Sequence, residues 1–151
     1  MDDRHLQAIY NYRRAGEHLA TGGQPTVEQL AAVAAAGCST VVNLALHDVD
    51  YALPDERGVV ESLGMSYIHL PVIWDHPTRE DLSRFSETLQ ALEGQDLFVH
   101  CAANVRVTVF VALDRVVRQG WQAEVAMAPV DLASLPPVWQ QLISDVLGKE
   151  P

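Results

Sequence analysis

Apolar positions along the chain fall into short β-branched runs and longer helical stripes that take turns. The runs TVVNLAL (residues 40–46), MSYIHLPV (65–72, closed by Pro71) and DLFVH (96–100) are strand candidates. Their near-continuous apolar character suits strands covered on both faces. Helical patterns lie between them. Thr26 opens one as a capping box with Gln29, and its alanine-rich body stops at Gly37. Residues 55–63 predict a short helix ended by Gly64. Thr78 and Asp81 repeat the capping pattern ahead of a helix to about residue 93, with Leu82, Phe85, Leu89 and Leu92 on one face. Residues 107–119 are apolar almost all round until Asp114, the mark of a buried helix, and residues 136–148 predict a C-terminal helix. At the front, Leu6, Ile9, Tyr10 and Arg13 sit at helical spacing behind acidic residues, which predicts an N-terminal helix over about residues 1–18. EHLATGGQP then reads as a short extended piece broken by Gly22 and Gly23.

Strands that alternate with helices predict a three-layer α/β architecture, a central and largely parallel sheet of four or five strands flanked by helices. With 151 residues and 48% hydrophobic content, the chain reads as a single domain over residues 1–151, large enough to bury its own core.

Charge narrows the function classes. Twenty acidic residues against ten basic ones give a net charge of −10. A non-specific nucleic-acid binder needs a basic surface to displace counterions, and an anionic membrane repels an acidic one, so neither is an expected partner. An anionic small ligand stays possible, because a pocket can be locally positive on an acidic protein. Cys38 and Cys101 are too few for a disulfide scaffold, which suggests a reducing compartment. The start, MDDRHLQAIY, lacks the basic-then-apolar order of a signal peptide, and no apolar run is long enough to span a bilayer. A cytoplasmic location is the expectation.

The stretch FVHCAANVRVTVF, residues 98–110, carries the chemistry. Cys101 follows an apolar strand and precedes a buried helix, where unpaired peptide N–H groups and the helix dipole favour negative charge, on sulfur or on a ligand. Arg106 adds a planar, permanently charged fork suited to two phosphate oxygens, and His100 can orient the loop through a hydrogen bond. A lone cysteine at a strand end is ordinarily a small buried hydrophobe. The order strand, His, Cys, short loop, Arg, helix reverses that weighting, because each part lands where anion binding needs it.

HCAANVR resembles the phosphate-binding loop of the cysteine-dependent protein tyrosine and dual-specificity phosphatases. Together with TGGQPTVEQL, AGCSTVVNL and LGMSYIHLPV, it is similar to a small bacterial branch of that superfamily, which includes the phosphatase-like domains of beta-lactamase-hydrolase-like proteins. The resemblance spans roughly residues 20–118. It implies that Cys101 attacks phosphorus to form a phosphocysteine. The amides of Ala102, Ala103, Asn104 and Val105, with Arg106, would hold the equatorial oxygens, an acid would protonate the leaving oxygen, and water would then hydrolyse the intermediate. No metal or cofactor is implied, and the six histidines show no close pair at metal-ligand spacing. The implied partner is a phosphorylated small molecule or a phosphoprotein; the oligomeric state is open.

One irregularity stands out. The superfamily loop has five residues between cysteine and arginine, and this chain has four, Ala102, Ala103, Asn104 and Val105. One helical step turns a side chain by about 100°. Aligned without a gap, Asn104 falls where the family has glycine, and asparagine tolerates the left-handed conformation. Thr108 then falls where a hydroxyl supports the sulfur. A true one-residue deletion would instead move Thr108 one step too far along. A six-residue loop is also the length of the rhodanese sulfurtransferases, the rival from another reaction class, although residues after the loop lack their paired-glycine turn. A third reading is a phosphate-binding module that turns over weakly.

For the acid, Asp75 in PVIWDHPT is best placed, on a loop after a strand and beside the apolar Trp74; His76 competes locally. Glu80 and Asp81 read as first-turn acids of the following helix. Asp48 and Asp50 read as solvated loop acids with a second-site alternative. Asn43 is either a brace for the cysteine loop or a core amide. Arg13 and Arg14 are a solvated face or a basic rim, and Cys38 is packing, with oxidation to Cys101 as a remote alternative.

Overall fold

The computed structural model describes residues 3–148. Its strands are β1 (Arg13–Gly16), β2 (Leu19–Gly22), β3 (Thr40–Asn43), β4 (Ser66–His69) and β5 (Leu97–His100). They form one sheet in the order β1-β2-β5-β3-β4, parallel except for the β1–β2 pair at one edge. The helices are α1 (Val27–Ala35), α2 (Glu56–Ser62), α3 (Arg79–Ala91), α4 (Val105–Val117), α5 (Ala123–Ala126) and α6 (Pro137–Leu147). This is the flanked, largely parallel sheet that the alternation of patterns implies.

Period-two alternation along the strands sorts side chains between two cores. Val42, Leu44, Leu97, Val99 and Cys101 face the side built by α3, α4 and α6, with Phe85, Phe110 and Trp139 at its centre. Ala20, Val41, Tyr67 and Phe98 face the other side, where Leu6, Ile9, Leu30, Val33 and Val60 pack. β5 lies in the middle of the sheet and is buried throughout, so Cys101 leaves the best-supported strand of the fold.

Local signals place most boundaries. Thr26 and Thr78 both form complete capping boxes, with Gln29 and Asp81 respectively, each box satisfying two end groups that a helix start leaves unpaired. Gly37 and Gly64 follow α1 and α2 with φ of +102° and +86°, where a Cβ would be strained. β3 stops earlier than its apolar run because Asn43 Oδ1 accepts a hydrogen bond from Ala45 N at 2.8 Å, turning the chain at the strand end.

The front of the chain departs from the helix expected over residues 1–18. Residues 1 and 2 of that expectation lie outside the described part. From residue 3, single turns close at Leu6, Ile9 and Tyr12 through bonds to the carbonyls of Asp3, Leu6 and Ile9. Asn11 then takes a left-handed φ of 50°, and Arg13–Gly16 pairs antiparallel with β2. The helical spacing of Leu6 and Ile9 is real, but both side chains are buried through successive turns rather than a helix. Arg13 and Arg14 consequently sit on an edge strand, and Arg14 donates to the carbonyls of Gly16 and Glu17. The short α5 and the single turn at Leu132–Ser134 carry no strong sequence signal.

Candidate active site

Cys101 and Arg106 meet in one cleft despite the short loop between them. The cleft has a volume of about 410 Å³ and is lined by Leu46, Val49, Tyr51, Trp74 and Val105, together with Ala102 and Ala103 of the loop. Among the described residues, Arg106 is the one charged side chain in that lining. The residue is 6% exposed, and its guanidinium donates from Nη1 to the Val72 carbonyl at 2.8 Å and from Nη2 to the Tyr51 hydroxyl oxygen at 3.2 Å. Val72 is itself held to the sheet end by its N–H to Leu44 O at 2.9 Å.

The loop is braced from behind by the TGGQ segment. Ala102 O accepts from Gln24 N at 3.0 Å, and Ala103 O accepts from Asn11 Nδ2 at 3.0 Å. In a planar trans peptide the carbonyl and the next N–H point oppositely, so the Ala103 N–H faces away from Gln24. Gly23 permits this approach: a Cβ there would lie 2.5 Å from Ala102 O and 2.9 Å from the Tyr10 ring. Gly23 is therefore a packing requirement of the cysteine loop, whereas a Cβ on Gly22 would meet Ile9 and the Phe98 ring.

Asn104 occupies the N-cap position of α4 with φ 65° and ψ 17°, the left-handed conformation that its residue type tolerates. Its Nδ2 donates to Asn11 O at 2.9 Å and to Thr21 Oγ1 at 3.0 Å, tying α4 to the front of the chain and to β2. Thr108 turns its hydroxyl back along α4. Its hydroxyl donates to Asn104 O at 2.5 Å, and the residue lies outside the lining around Cys101. A helical hydroxyl commonly back-bonds to the carbonyl four residues earlier, and here that bond takes the proton.

Alternation along β5 sends His100 to the opposite face from Cys101, where it is fully buried. There its Nε2 donates to Glu56 Oε2 at 2.6 Å, while Nδ1 lies 3.2 Å from the Cys101 carbonyl oxygen. A carboxylate only accepts, so Nε2 carries the hydrogen in this pair. Burial pushes the Glu56 carboxyl up, but the bond and charge of His100 and a second bond from Gln24 Nε2 outweigh it and hold the group below its ordinary value. Nothing in the sequence marks Glu56 for this role: it stands 44 positions before His100, with no local pattern linking the two.

The other candidates are dispersed. Asp75 is exposed and lies outside the cleft lining, one residue beyond Trp74. Trp74 is pinned: its carbonyl accepts from Trp139 Nε1 at 2.8 Å, and the two rings lie 5.4 Å apart. His76 is exposed on the same turn, and Asp81 belongs to the capping box with Glu80 beside it in the first turn of α3. Asp48 and Asp50 are exposed on either side of Val49, which lines the cleft. Asn43 braces Ala45 and the Tyr67 hydroxyl, not the cysteine loop. Arg13 and Arg14 are absent from the cleft lining. Cys38 is buried, and burial pushes its thiol up to about 11. It precedes β3 while Cys101 follows β5, and those strands run parallel in register. Six residues along the strand direction, about 20 Å, thus separate them, beyond the roughly 7 Å that a disulfide spans. Among the described residues, no three or more His, Cys, Asp and Glu side chains gather as a metal site, and no helix is long and apolar enough to cross a membrane.

Comparison with known proteins agrees with this fold. A family model described as a DSP-PTPase phosphatase fused to NAD+ kinase matches residues 10–136. A crystal structure of a candidate phosphatase (DUF442) from Shewanella putrefaciens CN-32 is 32% identical, covers 97% of each chain and superposes with a TM-score of 0.88. TpbA from P. aeruginosa, crystallised with phosphotyrosine, is 22% identical over 91% of this chain and 86% of its own, with a TM-score of 0.72. Tk-PTP in its active form is also 22% identical, over 91% and 94% of the two chains, with a TM-score of 0.71. The last two show a shared fold. No curated protein sequence matches the chain. The match over residues 10–136 and the close DUF442 relative together show that the chain belongs to the DSP-PTPase phosphatases, the family whose model is named for its fusion to NAD+ kinase.

Proposed function

We propose that this protein hydrolyses phosphomonoesters through a phosphocysteine on Cys101. The observation that carries the reading is the convergence of Cys101 and Arg106 on one cleft at the start of α4. The Cys101 sulfur attacks phosphorus in line with the ester oxygen; the P–O bond breaks, and the leaving oxygen takes a proton. Arg106 and the amides of residues 102–105 hold the three remaining oxygens, whose charge grows in the transition state. Water then attacks the phosphocysteine, releasing inorganic phosphate and restoring the thiol. Asp75, on the turn after the pinned Trp74, is the proposed proton donor, which requires the turn to fold its carboxyl over the cleft. Family membership supports ester hydrolysis over the sulfur transfer that a six-residue loop also suits.

A single cationic side chain in an otherwise apolar lining favours a substrate with one phosphate on an apolar group, as a small molecule or on a protein. No cofactor takes part in these steps. Acid-quenched mass spectrometry during turnover of an aryl phosphate tests the intermediate: a phosphate adduct on the peptide carrying Cys101 is expected. Steady turnover with no adduct on that peptide would overturn it.

A further inference from the structure

We infer that Tyr51 is a positioning residue for this reaction, fixing the plane of the Arg106 guanidinium. The inference rests on the phosphatase reading above. A loop one residue short starts Arg106 about 100° away from its usual direction around the helix, so something must turn the fork back toward the cleft that Cys101 also lines. Two contacts do so. The Val72 carbonyl takes Nη1, and because Val72 N is bonded to Leu44 O, that contact is built into the sheet end. A single hydrogen bond locates a planar group but leaves it free to turn about that bond. The second contact, Nη2 to the Tyr51 hydroxyl oxygen, removes the remaining freedom.

Tyr51 is not held there by burial. Its side chain is 43% exposed, on the polar segment between β3 and α2, where water could satisfy its hydroxyl. Its ring also forms part of the wall that Cys101 faces. The guanidinium keeps three of its five N–H donors beyond these two contacts, enough to grip two phosphate oxygens. Preorganising that grip matters most where charge develops, so its loss falls on the chemical step more than on substrate capture.

Tyr51→Phe removes the oxygen and keeps the ring. The expected result is a fall of about tenfold in kcat for an aryl phosphate, with KM changed less, the size of one hydrogen bond to a charged group. In the same variant, the Arg106 side-chain ¹⁵N–¹H signals should broaden as the guanidinium gains rotation. An active wild type whose kcat is unmoved by Tyr51→Phe would overturn the inference alone. A fall in kcat with unchanged Arg106 signals would also overturn it, since Tyr51 would then act on substrate directly. A wild type without Cys101-dependent turnover would remove the phosphatase reading and this role with it.

Discussion

Glu56 and His100 form a buried pair, 2.6 Å between Oε2 and Nε2, directly behind the carbonyl of Cys101. Both side chains are nearly inaccessible to water. Removing one partner leaves the other buried without its complement, which costs about 3–5 kcal/mol. Glu56→Ala should lose stability of that order in urea denaturation, and Glu56→Gln less, because its amide oxygen still accepts one hydrogen bond.

The same pair sets an acid limit. Because the folded-state carboxyl sits below its ordinary value, it stabilises the fold above the unfolded value of about 4.3, and that contribution is lost as pH falls through the lower folded one. The stability advantage of wild type over Glu56→Gln should therefore be full at pH 7 and shrink below about pH 4. Denaturation midpoints measured across that range check the sign; an advantage that grew on acidification would contradict it.

Gly23→Ala should damage the cysteine loop from behind. The new methyl would stand 2.5 Å from a backbone oxygen, Ala102 O, which cannot swing aside as a flexible side chain could. A loss of about 1–3 kcal/mol is expected, together with weaker inhibition by inorganic phosphate as residues 102 and 103 shift. Unfolding curves and product-inhibition constants measure the two effects separately.

Asn104 separates backbone from side-chain effects. Asn104→Gly and Asn104→Ala both lose the bonds to Asn11 O and Thr21 Oγ1, but alanine alone meets the left-handed penalty at φ 65°. Alanine should be less stable than glycine at this position by about 1–2 kcal/mol. Thermal unfolding of the two variants side by side gives that difference.

What the sequence disclosed follows from the range of the interactions involved. The capping boxes at Thr26 and Thr78 span three residues, and both stand as read. The order of strand, Cys101 and helix is likewise local, and so is the tolerance of Asn104 for a left-handed turn. β1 was illegible because its identity comes from pairing with Thr21 and Ala20 and from the left-handed turn at Asn11, while the spacing of Leu6 and Ile9 imitates a helix. Glu56 and Tyr51 escaped notice for a similar reason. Each is an ordinary polar residue of its own segment and acquires meaning only when β3, β5 and the start of α4 converge. The Thr108 hydroxyl gives its proton to the helix carbonyl at Asn104, a contact that residue type alone does not announce.

Aryl-phosphate hydrolysis by wild type and by Cys101→Ser, measured side by side, tests the central claim most directly. Serine preserves the size of the buried side chain but is a far weaker nucleophile, so turnover should fall by at least about a thousandfold while inorganic phosphate still binds. A Cys101→Ser protein that hydrolysed the ester at a rate close to that of wild type would contradict covalent catalysis by this cysteine.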